Sequence, residues 1–135
     1  MNYYTHGTQV TAAHGHLAFY GAYVAINLAI MSYAIPVLRG REPYNQSLNM
    51  ASFWLMTGGM SVMTFTLTFA GTIQTHLQRV MGQYYMEVQD QLALFYVIRF
   101  GAGAAIVLGA ILFIWAMAVP MREPFAARAQ LQPGE

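Results

Sequence analysis

Three long, apolar runs without acidic residues alternate along the chain with short polar intervals. They cover about residues 12–38, 48–75 and 92–119, and Arg99 in the third is the only formal charge within any of them. Crossing about 30 Å of hydrocarbon takes roughly 20 helical residues at about 1.5 Å each, so every run predicts a membrane-spanning helix with length to spare for tilt. The predicted fold class is an all-α membrane protein with three transmembrane helices. The first run is not read as a cleavable signal, because its apolar stretch far exceeds a signal's core and no basic segment precedes it.

The intervals carry their own punctuation. Pro36 and the stretch Arg39-Gly40-Arg41-Glu42-Pro43 predict a short connection, and Asn45 to Ser47 offer caps for the next helix. The first two helices are therefore expected to be antiparallel neighbours. Gln74 to Gln91, with Arg79, Glu87 and Asp90, reads as a longer polar connection. The segment 121–135, rich in alanine, proline and glutamine, is expected to be a disordered tail on a single unit spanning 1–135.

Composition agrees with the membrane reading: 57% of residues are hydrophobic and 8% charged, where soluble domains carry about 25% charged residues. Six arginines, no lysine and five acids leave a net charge of +1, which excludes a nucleic-acid surface built on basic patches. The absence of cysteine excludes disulfides, thiolate metal sites, iron–sulfur clusters and c-type haem attachment, so any metal must be held by histidine or oxygen. Arginine placement gives direction, since cytoplasmic connections carry excess positive charge. Arg39 and Arg41 in the first connection and Arg122 and Arg128 in the tail outweigh Arg79 in the second connection. This predicts the N-terminus outside and the C-terminus in the cytoplasm.

Helices in lipid are held by close approach of small residues and by hydrogen bonds between side chains. Gly101, Ala105 and Gly109 recur at four-residue spacing and predict a smooth strip for helix contact. Thr57, Ser61, Thr64, Thr68 and Thr72 form one polar stripe, either bonded to backbone and neighbouring helices or lining a path for water or protons. Arg99 either snorkels to the outer interface or meets an anion such as a haem propionate. Asn27 and Ser32 are candidates for bonds to neighbouring helices, and His76 for an interfacial position.

The chemistry concentrates in Thr11-Ala12-Ala13-His14-Gly15-His16, at the outer end of the first run. Two residues apart on an α-helix means about 200° apart around its axis, so the imidazoles cannot share one metal ion while the helix stays regular. They are either interfacial or ligands of two separate centres. In a membrane the large flat candidate is haem, whose iron takes an axial histidine. Gly15, Ala12, Ala13 and Ala18 would let macrocycles come close to the backbone. Dinuclear zinc or copper sites also use such pairs, but no nearby carboxylate or cysteine completes one.

The longer segment His6-Gly7-Thr8-Gln9-Val10-Thr11-Ala12-Ala13-His14-Gly15-His16 resembles the opening of the tenth helix of subunit I in the haem–copper oxidase superfamily. The glycine between the histidines and the continuation Leu17-Ala18-Phe19-Tyr20-Gly21-Ala22-Tyr23 most resemble NorB, the catalytic subunit of cytochrome c-dependent bacterial nitric oxide reductases. Phe53-Trp54-Leu55-Met56-Thr57-Gly58-Gly59-Met60 and Gln89-Asp90-Gln91-Leu92-Ala93-Leu94-Phe95-Tyr96 extend the likeness over nearly the whole chain. It implies the last three helices of a fold with about twelve. His14 would be the proximal ligand of high-spin haem b3, which faces a non-haem iron, and His16 an axial ligand of low-spin haem b. His6 would be a propionate or water contact, since Gly7 stands where the oxidases carry an aspartate beside a magnesium ion.

The resemblance further implies reductive coupling of two nitric oxide molecules to nitrous oxide and water. Electrons would come from a membrane-anchored cytochrome c subunit, in the inner membrane of a bacterium. The ligands of the non-haem iron and the second ligand of haem b would lie on helices absent from this chain. The chain is accordingly expected to be a C-terminal segment or split product, with Met1 at an internal position, and inactive alone. Two alternatives remain open: a segment of a terminal oxygen reductase, and a small stand-alone haem-binding or accessory membrane protein.

Overall fold

A computed structural model describes residues 2–39 and 44–118. Residues 40–43 of the first connection and 119–135 lie outside the described residues, so the expectations for Arg41, for the tail and for its arginines fall there. A short helix α1 (Asn2–Thr5) leads into α2 (Gln9–Ala18), a π-helical segment (Phe19–Val24) and α3 (Ala25–Leu38), these last three forming one continuous rod. After the first connection come α4 (Gln46–Arg79), α5 (Tyr85–Gln91) and α6 (Ala93–Ala118). Among the described residues, three helices are long and apolar enough to cross a membrane: Gln9–Leu38, Gln46–Arg79 and Ala93–Ala118. The fold is all-helical and multi-pass, as the hydrophobic pattern predicted.

Two boundaries differ from that pattern, and both differences are polar in origin. The first rod begins at Gln9 rather than Ala12, after Gly7 turns the chain at φ +76°. Thr8 occupies the cap position, but its hydroxyl donates to the Thr5 carbonyl (2.7 Å). The exposed N–H of Gln9 is satisfied instead by Gln74 Oε1 of α4 (3.0 Å), a cap supplied from another helix. The interval Gln74 to Gln91 is not an extended loop. α4 continues to Arg79, Gly82 turns the chain at φ +68°, and α5 buries Val88 against Ala70 and Leu92. Elsewhere the caps follow expectation: Asn45 Oδ1 accepts from the Leu48 N–H (3.0 Å) and starts α4.

The central helix α4 packs on both others. Gln9 meets Gln74, Ala13 meets Met63 and Leu67, and Tyr20 meets Met56 and Met60, so α2 and α4 run antiparallel. Along its length α4 buries Ser52, Met56, Gly59, Met63, Thr66 and Ala70, at spacings of four, three, four, three and four, with Met56 and Met63 shared between the first rod and α6. Such a 3.5-residue repeat is the seam of helices crossing at a shallow angle. The opposing face of α6 follows the same rhythm through Ala102, Ile106, Gly109, Phe113 and Ala116.

This seam corrects the strip anticipated on α6. Gly109 belongs to it, with Ser52 carbonyl oxygen 3.1 Å from where a β-carbon would lie, but Gly101 is exposed with nothing within 4 Å. Four-residue spacing drifts off a straight contact line, whereas alternating four and three stays on it. Met56, Met60 and Met63, pliable and buried, fill the space between the rods.

Side-chain hydrogen bonds add specificity. Ser52 Oγ, on a residue 1% exposed, donates to the Gly109 carbonyl (2.7 Å) and joins α4 to α6. Ser52→Ala is expected to destabilise the α4–α6 pair by about 0.6–1.7 kcal/mol, the range for such bonds in membranes, as read by reversible unfolding in mixed detergent. At the opposite end of the bundle from α5, an Arg39 guanidinium nitrogen donates to the Met117 carbonyl near the end of α6. In the first rod, Asn27 Nδ2 donates to the Tyr23 carbonyl one turn earlier (2.7 Å). Asn27 therefore bonds within its own rod and not, as anticipated, to a neighbour.

Candidate functional site

His14 and His16 both lie within the regular part of the first rod, so the opposed orientation expected of them rests on α-helical backbone. Ala13 beside them is buried against Met63, Leu67 and Ala102. His14 is exposed and His16 half-buried. The His16 Nδ1 lies 2.7 Å from the Ala12 carbonyl one turn earlier. A carbonyl can only accept, so this bond requires the hydrogen on Nδ1 and leaves the lone pair on Nε2. That is the tautomer and second-atom support found in histidines that ligate metals.

His16 opens into a groove of about 890 Å3 whose walls include Met63 of α4 and Tyr96, Arg99, Gly103 and Val107 of α6. The groove is largely open along the helix faces and mostly apolar, with few polar groups. Gly103 keeps the α6 wall of this groove low: a β-carbon there would meet only Met63 Cε, at 3.6 Å. The three-helix arrangement thus brings Arg99 and His16 to one groove, a juxtaposition that no sequence spacing revealed.

Other candidates are placed elsewhere. His6 is exposed in the turn before α2, and His76 is exposed in the last turn of α4. The polar stripe of α4 bonds mainly to its own backbone: Ser61 donates to the Thr57 carbonyl, Thr68 to Thr64 and Thr72 to Thr68, each at 2.8 Å. Thr57 Oγ1 instead lies 3.5 Å from the Tyr20 hydroxyl, beside a second cavity of about 310 Å3 that Ser32 also lines. The Thr64 hydroxyl is buried without a partner. Among the described residues, no three histidines or acids converge to hold a metal ion.

Sequence reasoning missed a polar cluster at the end of the bundle where α2 begins. Gln9 Nε2 donates to the Tyr96 hydroxyl (3.3 Å), which in turn donates to Gln89 Oε1, while Gln74 caps α2. Apolar periodicity around Gln74, 1% exposed and flanked by buried Ala70 and Gly71, was the available signal.

Residues 1–105 match the family described as Cytochrome C and Quinol oxidase polypeptide I. The chain is also 42% identical, over 96% of its length, to NorB, a nitric oxide reductase polypeptide of Stutzerimonas stutzeri. The chain belongs to the cytochrome c and quinol oxidase polypeptide I family. It spans 29% of the length of that relative. Membership makes it a haem–copper oxidase subunit I-type membrane protein, and this family normally binds haems. The residues present suit that group: an imidazole with one nitrogen held by a carbonyl and the other free, an open and mostly apolar groove, and a lone cation on its wall.

Proposed function

We propose that this chain is the part of a nitric oxide reductase catalytic subunit that holds two haems by opposite faces of one helix. His14 is the proximal ligand of high-spin haem b3 and His16 an axial ligand of low-spin haem b. The observation that carries the reading is the His16 imidazole, its Nδ1 at 2.7 Å from the Ala12 carbonyl and its ring on the wall of an 890 Å3 groove, with His14 on the other side of the rod. When bound, the haems supply one-electron transfer and, with a non-haem iron held by other helices, the site for 2 NO + 2 e− + 2 H+ → N2O + H2O.

This chain's own contribution is geometric. The rigid helix through Ala12 to Ala18 sets the separation and relative tilt of the two imidazoles. The Ala12 carbonyl fixes the His16 ring and makes its free nitrogen a better donor. The outer-end cluster of Gln9, Gln74, Gln89 and Tyr96 anchors the start of that helix against α4 and α6. His6 is assigned to a propionate or water contact at the outer surface.

The remaining helices of the catalytic polypeptide and a membrane-anchored cytochrome c subunit are the partners, in a bacterial inner membrane. The N-terminus faces the periplasm and the C-terminus the cytoplasm. The complex purified from its native membrane should form one N2O for every two NO and two electrons when supplied anaerobically with reduced cytochrome c. Reduction of O2 to water without N2O formation would make it an oxygen reductase instead. Stable haem with neither turnover would make it a haem-binding accessory protein.

A further inference from the structure

Arg99 is the one charged residue in the interior of a described membrane-spanning helix, Arg79 being the last residue of α4, and its position is hard to explain by the helix bundle alone. It lies six residues into α6, about 9 Å along the axis from Ala93. It is half-buried, and no hydrogen bond or ion pair satisfies it among the described residues. A charge within the hydrocarbon region costs about 2.5–3.5 kcal/mol at the centre, less toward the surface, unless it meets an anion or reaches water. The acids of α5, Glu87 and Asp90, are exposed and do not meet it.

The groove gives it a counterpart. Since α2 and α6 both run antiparallel to α4, they are parallel to each other. The Gln9–Tyr96 bond and the shared cluster of Ala13 with Ala102 put the level of His16 between Gly103 and Ala105 on α6. Arg99 therefore stands about 6–9 Å to the outer side of the imidazole, on the same groove. A porphyrin has its iron at the centre and its two carboxylates on one edge. Seated on His16 and lying over the low wall at Gly103, it can turn that edge toward Arg99. A guanidinium meets a carboxylate through two parallel N–H···O bonds, a geometry that lysine cannot reproduce.

We infer that Arg99 is a positioning residue that binds the carboxylates of the porphyrin on His16, fixing its rotation about the iron–imidazole bond and raising its reduction potential. The proposal rests on the assignment of His16 as a haem ligand. A fixed positive charge nearby disfavours the more positive, oxidised iron, so removing it stabilises the oxidised form.

The test uses the full complex in its native membrane, with Arg99→Gln, Arg99→Lys and Arg99→Leu. Redox titration of the low-spin haem and haem retention through detergent gel filtration are the readouts. Arg99→Gln and Arg99→Leu should each shift the reduction equilibrium at least tenfold toward the oxidised form, about 59 mV for one electron, and lose haem faster. Arg99→Lys should keep much of the potential but not the retention. Leucine suits the membrane better than arginine, so membrane abundance of Arg99→Leu should match or exceed wild type while haem is lost. Wild-type potential and retention in both Arg99→Gln and Arg99→Leu would overturn the proposal and leave Arg99 as a snorkelling side chain. His16→Ala separates the two claims: persistence of low-spin haem there removes the His16 assignment and this proposal with it. Loss of that haem with silent Arg99 variants removes this proposal alone.

Discussion

His16→Ala is expected to abolish the low-spin haem b signal in the assembled complex while leaving high-spin haem b3 largely formed, and His14→Ala the reverse. Each substitution should therefore remove about half of the haem extracted per complex, as measured by pyridine haemochrome, with the lost half distinguished in reduced-minus-oxidised spectra. The separation follows from the helix: the side chains are about 200° apart, so neither can replace the other at its centre. Packing losses cannot produce the same pattern. His14 is exposed and truncation leaves no hole in the bundle, while truncating His16 forfeits one bond to the Ala12 carbonyl, about 1 kcal/mol. Equal loss of both haems in both variants, or no loss in either, would refute the two-faced assignment.

The second large effect concerns the contact that sets the height and angle of α2. A β-carbon at Gly71 would collide with the backbone of Gln9 and Val10, at the point where Gln74 caps the helix. Backbone cannot give way as a flexible side chain can. Gly71→Val should therefore destabilise the α2–α4 contact by about 3 kcal/mol, at the upper end of ordinary overpacking costs. On the proposed ligation it should also broaden the spectra of both haems, by displacing the helix that carries His14 and His16. Gly101→Ala provides the contrasting control. That glycine faces open space in a helix interior, and filling it should cost nothing and could add about 0.5–1 kcal/mol. Unfolding in mixed detergent compares the two, and equal effects would show that close approach at Gly71 is not what orders the rods.

How much of this was readable beforehand divides by physical range. The three spans were legible because uncharged length is a local property of the chain, and the opposed imidazoles because residues two apart have a fixed angle in any α-helix. The contact face of α6 was misjudged because small residues at four-residue spacing look like a seam, yet contact over several turns follows Ala102, Ile106 and Gly109, which the methionines of α4 select. α5 escaped notice because its seven residues carry Glu87 and Asp90 and bury only Val88. The meeting of Arg99 with the His16 groove depends on how α6 is rotated and raised relative to α2. These residues are far apart in sequence, and only the seam through α4 fixes their relation.

The polar stripe of α4 shows the same division. Its spacing was plain, but its meaning was not, because hydroxyls in an apolar helix can bond a carbonyl one turn earlier without any partner. Ser61, Thr68 and Thr72 do so. Only Thr57 and Thr64 leave that habit, one beside Tyr20 and the other unbonded.

The wide turn between Phe19 and Val24 absorbs one residue of the first rod without turning its two halves apart. Each residue advances an ordinary α-helix by about 100°, and a turn closed one residue later spends about one extra residue on the same rotation, so the half that carries His14 and His16 and the half Ala25–Leu38 keep the phase of a rod one residue shorter. A homologous chain one residue shorter in this interval would wind without interruption. Its histidines and its later contacts, Leu28 with Met56 and Ile35 with Phe113, would then keep their present faces, whereas the present chain wound as regular α-helix at full length would turn one half by about 100° away from them.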